Sequence, residues 1–163
     1  MTSTAELIQA IERAGEEYAA WVETLTDEQF RRRPDPNEWT AAEVTGHVSE
    51  APLTFARHAL RLAREGGGKA GRPPSDPDRM AAVARLADRD ARAGAQLVRE
   101  GVAEACAVLR QIPDDGWDVT GEHLRMGQLS VRGLVERSVL EHIEGHLRQA
   151  QEAAGVGRSS EPI

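Results

Sequence analysis

Leu140-Glu141-His142-Ile143-Glu144-Gly145-His146-Leu147-Arg148-Gln149 is the stretch whose reading decides both the fold and the chemistry. In a helix, positions four apart lie one above the other, so the imidazoles of His142 and His146 can converge on one atom. At about 100° per residue, the face centred on this pair also carries Val131, Val135, Ser138, Val139, Gln149 and Ala150. Glu136, Arg137, Glu141, Glu144 and Arg148 fall on the other sides. The histidines thus sit in the stripe the helix has to bury, either satisfied by core hydrogen bonds or serving as metal ligands. Neutral imidazole is the commonest side-chain metal ligand, and an H-x-x-x-H pair is half of a zinc-type site. The other half has to come from elsewhere in the chain.

The 163 residues make one domain with enough length for a full core. Lys and Arg number 20 against 27 Asp and Glu, a net charge of −7. With no extended basic run, this balance argues against nucleic acid or an anionic membrane as partner. No segment approaches the roughly 18 consecutive apolar residues of a membrane span, and the N-terminus lacks the apolar core of a signal peptide. A cytoplasmic protein is expected. Its one cysteine, Cys106, excludes an intrachain disulfide and, within an apolar helical stretch, reads as core filler rather than nucleophile.

From the N-terminus, Ser3-Thr4-Ala5-Glu6 is a capping box opening a helix over about residues 4 to 25, with Leu7, Ile11, Tyr18 and Val22 on its apolar face. Thr26 to Glu38 reads as a loop whose Arg31-Arg32-Arg33 run is solvated. Thr40-Ala41-Ala42-Glu43 repeats the capping box, with Trp39 placed to staple onto Val44, and starts a second helix that fades at Glu65. On it His47 flanks the apolar face beside Glu43, Glu50, Thr54 and His58, and Pro52 predicts a kink. Gly66 to Asp78 is expected to be flexible and poorly ordered. A third helix is expected from Asp78 to Ile112, bent at Gly94 and Gly101, with Asp90 either lining a cavity or, by preference, marking the helix boundary. Pro113 to Leu129 reads as a long loop packed over the fold. Ser130 caps the last helix, which runs to about Ala154; the domain spans 1–155, and 156–163 read as a frayed tail.

Four amphipathic helices without a credible strand imply an all-α four-helix bundle, in which sites are built from facing helices. His47, seven residues into its helix, can lie level with His142 and is the first candidate for third ligand; His123 is the second. His58 lies about 16 Å along the axis from His47, so both cannot bind one ion. Glu50, one turn from His47, is a candidate base, and Thr54, His58 and Asp90 are candidate cavity-lining residues.

Trp39-Thr40-x-x-Glu43-Val44-x-x-His47-Val48, then Thr120-Gly121-x-His123-x-x-x-Gly127, then Leu140-x-His142-x-x-x-His146-x-x-Gln149 together resemble the DinB-like superfamily of bacterial damage-inducible proteins. The resemblance spans nearly the whole chain. It implies a four-helix bundle, frequently a homodimer, with a divalent metal, zinc or nickel, held by three histidines that map onto His47, His142 and His146. It also implies either hydrolysis or transfer and isomerisation reactions that use a low-molecular-weight thiol, mycothiol or bacillithiol. The Ala-, Arg- and Gly-rich composition suits a high-GC bacterial source and hence the mycothiol type. Two function classes follow: a metal-dependent enzyme acting on a small-molecule electrophile with water or thiol as nucleophile, or a non-catalytic metal-stabilised bundle that binds a small molecule or protein. Leu140 and Leu147 lie at about 160° and 140° from His142 on a regular helix. A second apolar patch there is expected to serve a homodimer contact.

Overall fold

A computed structural model describes residues 2–156. Its helices are α1 (Thr4–Glu23), α2 (Asp27–Arg31), α3 (Ala41–Glu65), α4 (Pro77–Ala84), α5 (Ala91–Leu109), α6 (Val131–Val135) and α7 (Glu141–Ala154). Helices α6 and α7 are the two ends of one rod, joined by a single π-turn over Glu136–Leu140. The rod, α1, α3 and α5 are the four long helices of the bundle, and the expected all-α four-helix architecture is what the chain forms. Among the described residues no helix is long and apolar enough to cross a membrane.

The helix starts follow the caps. Ser3 Oγ accepts the amide of Glu6, whose carboxylate accepts the amide of Ser3; Thr40 and Glu43 do the same for α3. A third box, Thr26 with Gln29, starts α2 inside the stretch expected to be a loop, and there Phe30 becomes fully buried. The neighbouring arginines are bonded to the chain, Arg32 and Arg33 while exposed to solvent as expected. Arg31 donates to the carbonyls of Leu86, Ala87 and Arg89, Arg32 to the carbonyl of Ala153, and Arg33 to both oxygens of the Glu43 carboxylate. Two of them therefore occupy carbonyls left free where α4 and α7 end. Burial raises the Glu43 carboxyl, but Arg33 and the capping amide outweigh it and leave the group below its ordinary pKa.

The expected third helix is two helices. Residues 85–90 form successive tight turns in which Arg85, Ala87 and Arg89 donate three residues back, and Asp90 caps α5 by accepting the amide of Ala93. Asp90 is exposed and, as the N-cap of α5, stands at a helix boundary. Gly101 is a point of close approach on α5: a Cβ there would stand 2.1 Å from Ser49 O on α3, and a Cβ on Gly46 would stand 2.2 Å from Ala82 O on α4. Both glycines are where helices cross α3 backbone to backbone. Tyr18, fully buried, ties α1 to α3 through a 3.0 Å hydrogen bond to Thr45 Oγ1.

Strands are present as well, contrary to expectation. Lys69–Ala70 (β1) pairs in parallel with Thr120–His123 (β2), which pairs antiparallel with Gly127–Ser130 (β3). The segment read as flexible is thereby held to the one read as a loop; it carries Arg72, and α4, which follows it, carries Arg79.

Candidate metal centre

His47 comes from α3, and His142 and His146 from α7. Their Nε2 atoms converge: His47 to His142 is 3.1 Å and His142 to His146 is 3.0 Å. His47 is 4% exposed, and its two partners are half-buried. Trp39 stands edge-on to His47 at 5.5 Å between ring centroids, and Phe55 edge-on to His142 at 6.0 Å. Burial is the main cause that lowers all three pKa values; for His47 and His142 the neighbouring imidazoles and the arginines Arg72 and Arg79 add to it. His47 is pushed down to about 2 and His142 to about 3. At neutral pH the three rings are uncharged and can offer lone pairs.

The donor set fits a divalent metal. Two nitrogens each about 2.0–2.1 Å from one zinc ion stand about 2.9–3.4 Å apart at octahedral to tetrahedral angles, and both measured separations fall in that interval. Neutral imidazoles placed nitrogen to nitrogen otherwise oppose their lone pairs unless a proton is shared. Nδ1 of His146 donates to Gln149 Oε1 at 2.7 Å, which fixes the tautomer that leaves Nε2 free. Nδ1 of His47 and of His142 is buried without a hydrogen-bond partner among the described residues, so no protein donor to Nδ1 holds those rings in the opposite, Nε2–H tautomer.

The π-turn sets where this pair points. An i→i+5 turn takes up about one residue more than an α-turn, which advances the following helix by about 100°. The buried stripe of Val131, Val135 and Val139 consequently continues as Ile143, Ala150 and Ala154, with Leu147 half-buried, rather than through His142 and His146. The histidines lie at the edge of the stripe, facing α3 and an opening. Beside them lies a cleft of about 420 Å³ lined by Pro34, Trp39, Arg79, His146, Gln149 and Glu152.

The other candidates lie apart from the three nitrogens. Glu50 is held by Arg72 through two 2.6 Å contacts and accepts the Thr54 hydroxyl at 2.6 Å. Glu50 and Thr54 line a different groove, with Leu53, Arg57 and Arg85. His58 packs edge-on against Phe55 and accepts the Gly71 amide, so Phe55 lies against both it and His142. His123 sits on β2 and accepts the amides of Arg125 and Met126, closing the hairpin turn instead of reaching the cluster. Arg79, whose guanidinium lies 4.8 Å over the Trp39 ring, went unnoticed in the sequence, where nothing distinguishes it from other surface arginines. Gln149, at i+3 from His146, was visible through its spacing.

No protein of curated function matches the sequence. Among solved structures, the fold is similar to that of YfiT from Bacillus subtilis, described as a probable metal-dependent hydrolase with an unusual four-helix bundle topology. The TM-score is 0.71 at 20% identity, covering 94% of this chain and 86% of that one, a likeness of fold. The family model of the DinB superfamily matches residues 10–150, which include all three histidines, and the chain belongs to that superfamily.

Proposed function

We propose that His47, His142 and His146 hold a divalent metal, zinc or nickel, through Nε2, and that the chain is a metal-dependent enzyme acting on a small electrophile. The observation that carries this reading is the convergence of three neutral imidazole nitrogens beside a cleft of small-molecule size. The hydrolase description of YfiT supports it. A metal with three protein ligands keeps a position for an exogenous one and lowers the pKa of water or thiol bound there.

The chain's own residues do the rest. Gln149 orients His146, and Trp39 and Phe55 wall His47 and His142. Glu50 is engaged by Arg72 and Thr54, so we assign it the positioning of Arg72 rather than proton transfer. Cys106 supplies no nucleophile: it is fully buried, and burial pushes its thiol up to about 11. With Cys106 set aside, we take the nucleophile to be water or, as the family resemblance implies, an external low-molecular-weight thiol of the mycothiol type. Self-association through the last helix rests on the family resemblance alone, because Leu140 and Leu147 pack against their own chain's core.

Single alanine substitutions of His47, His142 and His146 are expected to abolish stoichiometric metal in elemental analysis, while His58→Ala retains it. Normal metal content in any of the three rejects the centre. Assay of the metal-free and reloaded protein against ester, amide and thiol-acceptor substrates then separates the enzyme from a metal-stabilised binding bundle. A metal-dependent activity in a protein that stays folded without metal supports the enzyme, and a change confined to melting temperature rejects it.

A further inference from the structure

Arg79 is a half-buried cation with no carboxylate partner among the described residues. Its Nη1 donates to the Pro74 carbonyl at 2.8 Å, and its guanidinium lies 4.8 Å from the centroid of the Trp39 ring. By contrast Arg72, beside it, is paired with Glu50 and Asp76, and Arg33, Arg99 and Arg110 each meet a glutamate. A guanidinium partly withdrawn from water gains from a partner, and its planar fork suits a carboxylate or phosphate. Arg79 lines the same cleft as His146 and Gln149. It is also the one charged group of that lining whose field reaches all three histidines. Glu38 and Glu152, the carboxylates of the lining, are exposed.

We infer that Arg79, stacked on Trp39, is a binding residue for an oxyanion, so that the cleft takes a small molecule carrying a carboxylate or phosphate and presents its electrophilic part to the histidine centre. The indole face fixes the plane of the guanidinium, and with Nη1 committed to Pro74 the remaining donors are free for the ligand. The exposed Glu38 and Glu152 disfavour a ligand with a second negative charge at the mouth. Burial, then the like charges of Arg72 and Arg125, lower the Arg79 pKa and outweigh the opposing pull of Glu50 and Asp76. The inference deepens the metal-enzyme reading and rests on it only for what happens to the ligand after binding.

The test therefore uses metal-free protein, where an anion cannot simply coordinate the ion. Acetate and inorganic phosphate are titrated at constant ionic strength against chloride, with binding followed by calorimetry and by the indole N–H resonance of Trp39, identified with Trp39→Phe. Wild type and His47→Ala are expected to bind at least one of the two probes, and which one binds tells carboxylate from phosphate. Arg79→Gln is expected to weaken binding by about tenfold or more, the loss of a charge-assisted hydrogen-bonded pair, and Arg79→Lys to recover part of it. Circular dichroism checks that each variant is folded. Equal affinity in Arg79→Gln, or no Trp39 response to either probe in folded wild type, overturns the inference. Loss of metal in His47→Ala with anion binding intact shows that the two sites fail or stand separately.

Discussion

Gln149→Leu isolates the part of the proposed metal centre that would never touch the ion. Gln149 is exposed, and its recorded side-chain hydrogen bond is the 2.7 Å acceptance of the His146 Nδ1–H. Without it, His146 is free to move its proton to Nε2, the atom that stands 3.0 Å from His142 Nε2 and has to present a lone pair. Removing the hydrogen-bond partner of a metal-ligating histidine typically lowers metal affinity about 10- to 100-fold, which corresponds to about 1.4–2.8 kcal/mol. The core does not see the change, so the metal-free protein should melt within about 0.5 kcal/mol of wild type, as other surface substitutions do. Gln149→Glu keeps an acceptor and adds charge, and should hold metal at least as tightly. Competition against a chromophoric chelator at fixed pH measures all three proteins. A Gln149→Leu affinity within about twofold of wild type, well under the expected loss, would refute the argument, as would an equal loss of stability with and without metal.

Gly101→Ala places a Cβ that must move from 2.1 Å to at least 3.4 Å from Ser49 O, so α3 and α5 have to part. Overpacking of this kind costs about 1–3 kcal/mol, against a helix-propensity gain of about 0.5–1 kcal/mol; net destabilisation in thermal or denaturant melts is expected, and a stabilised variant would show that the helices do not cross there. Cys106 titrates with the sign of a buried acid: its folded value, about 11, exceeds the ordinary thiol value. Its contribution to stability is present below about pH 8.5, the unfolded pKa, and is lost as pH rises from there through the folded value. Iodoacetamide at pH 8 should accordingly label Cys106 only as fast as the protein opens, and rapid labelling of folded protein would reject its burial.

Much of the fold was legible because its signals are local. The boxes at Ser3 and Thr40 name residues three apart that bond each other in the structure, and both helices start there. The third box, Thr26 with Gln29, has the same form, but it was hidden by the arginines and prolines that follow it. Those arginines illustrate what local reading misses: besides the nearby Asp27 and Glu38, Arg31, Arg32 and Arg33 take partners from 10 to 121 positions away. The same holds for β1, which consists of two residues and exists only because β2 offers its edge. Asp90 has a cap's chemistry, and its boundary reading agrees with the structure; the turns of 85–90 that separate α4 from α5 meet Arg31, which donates to the carbonyls of Ala87 and Arg89.

The histidine pair was legible for a reason that survives an error in its surroundings. Spacing of four within α7 stacks His142 over His146 whatever precedes them, and the two nitrogens do meet. Which way the pair faces is a question of phase, and phase accumulates along the rod. Counting 100° per residue from Val131 carries the buried stripe onto the histidines and leaves Leu140 and Leu147 on the far side. The π-turn at Glu136–Leu140 resets the count: Ile143 becomes fully buried, Leu147 packs against the core, and the histidines move to the stripe's edge. One inserted residue thus removes the reason for a second apolar face and sets the pair beside an opening, as the proposed reactive centre requires. A pair continuing the buried stripe would have been enclosed, suited to a structural ion. The pair at its edge reaches His47 across the groove while His146 remains in the wall of a cleft.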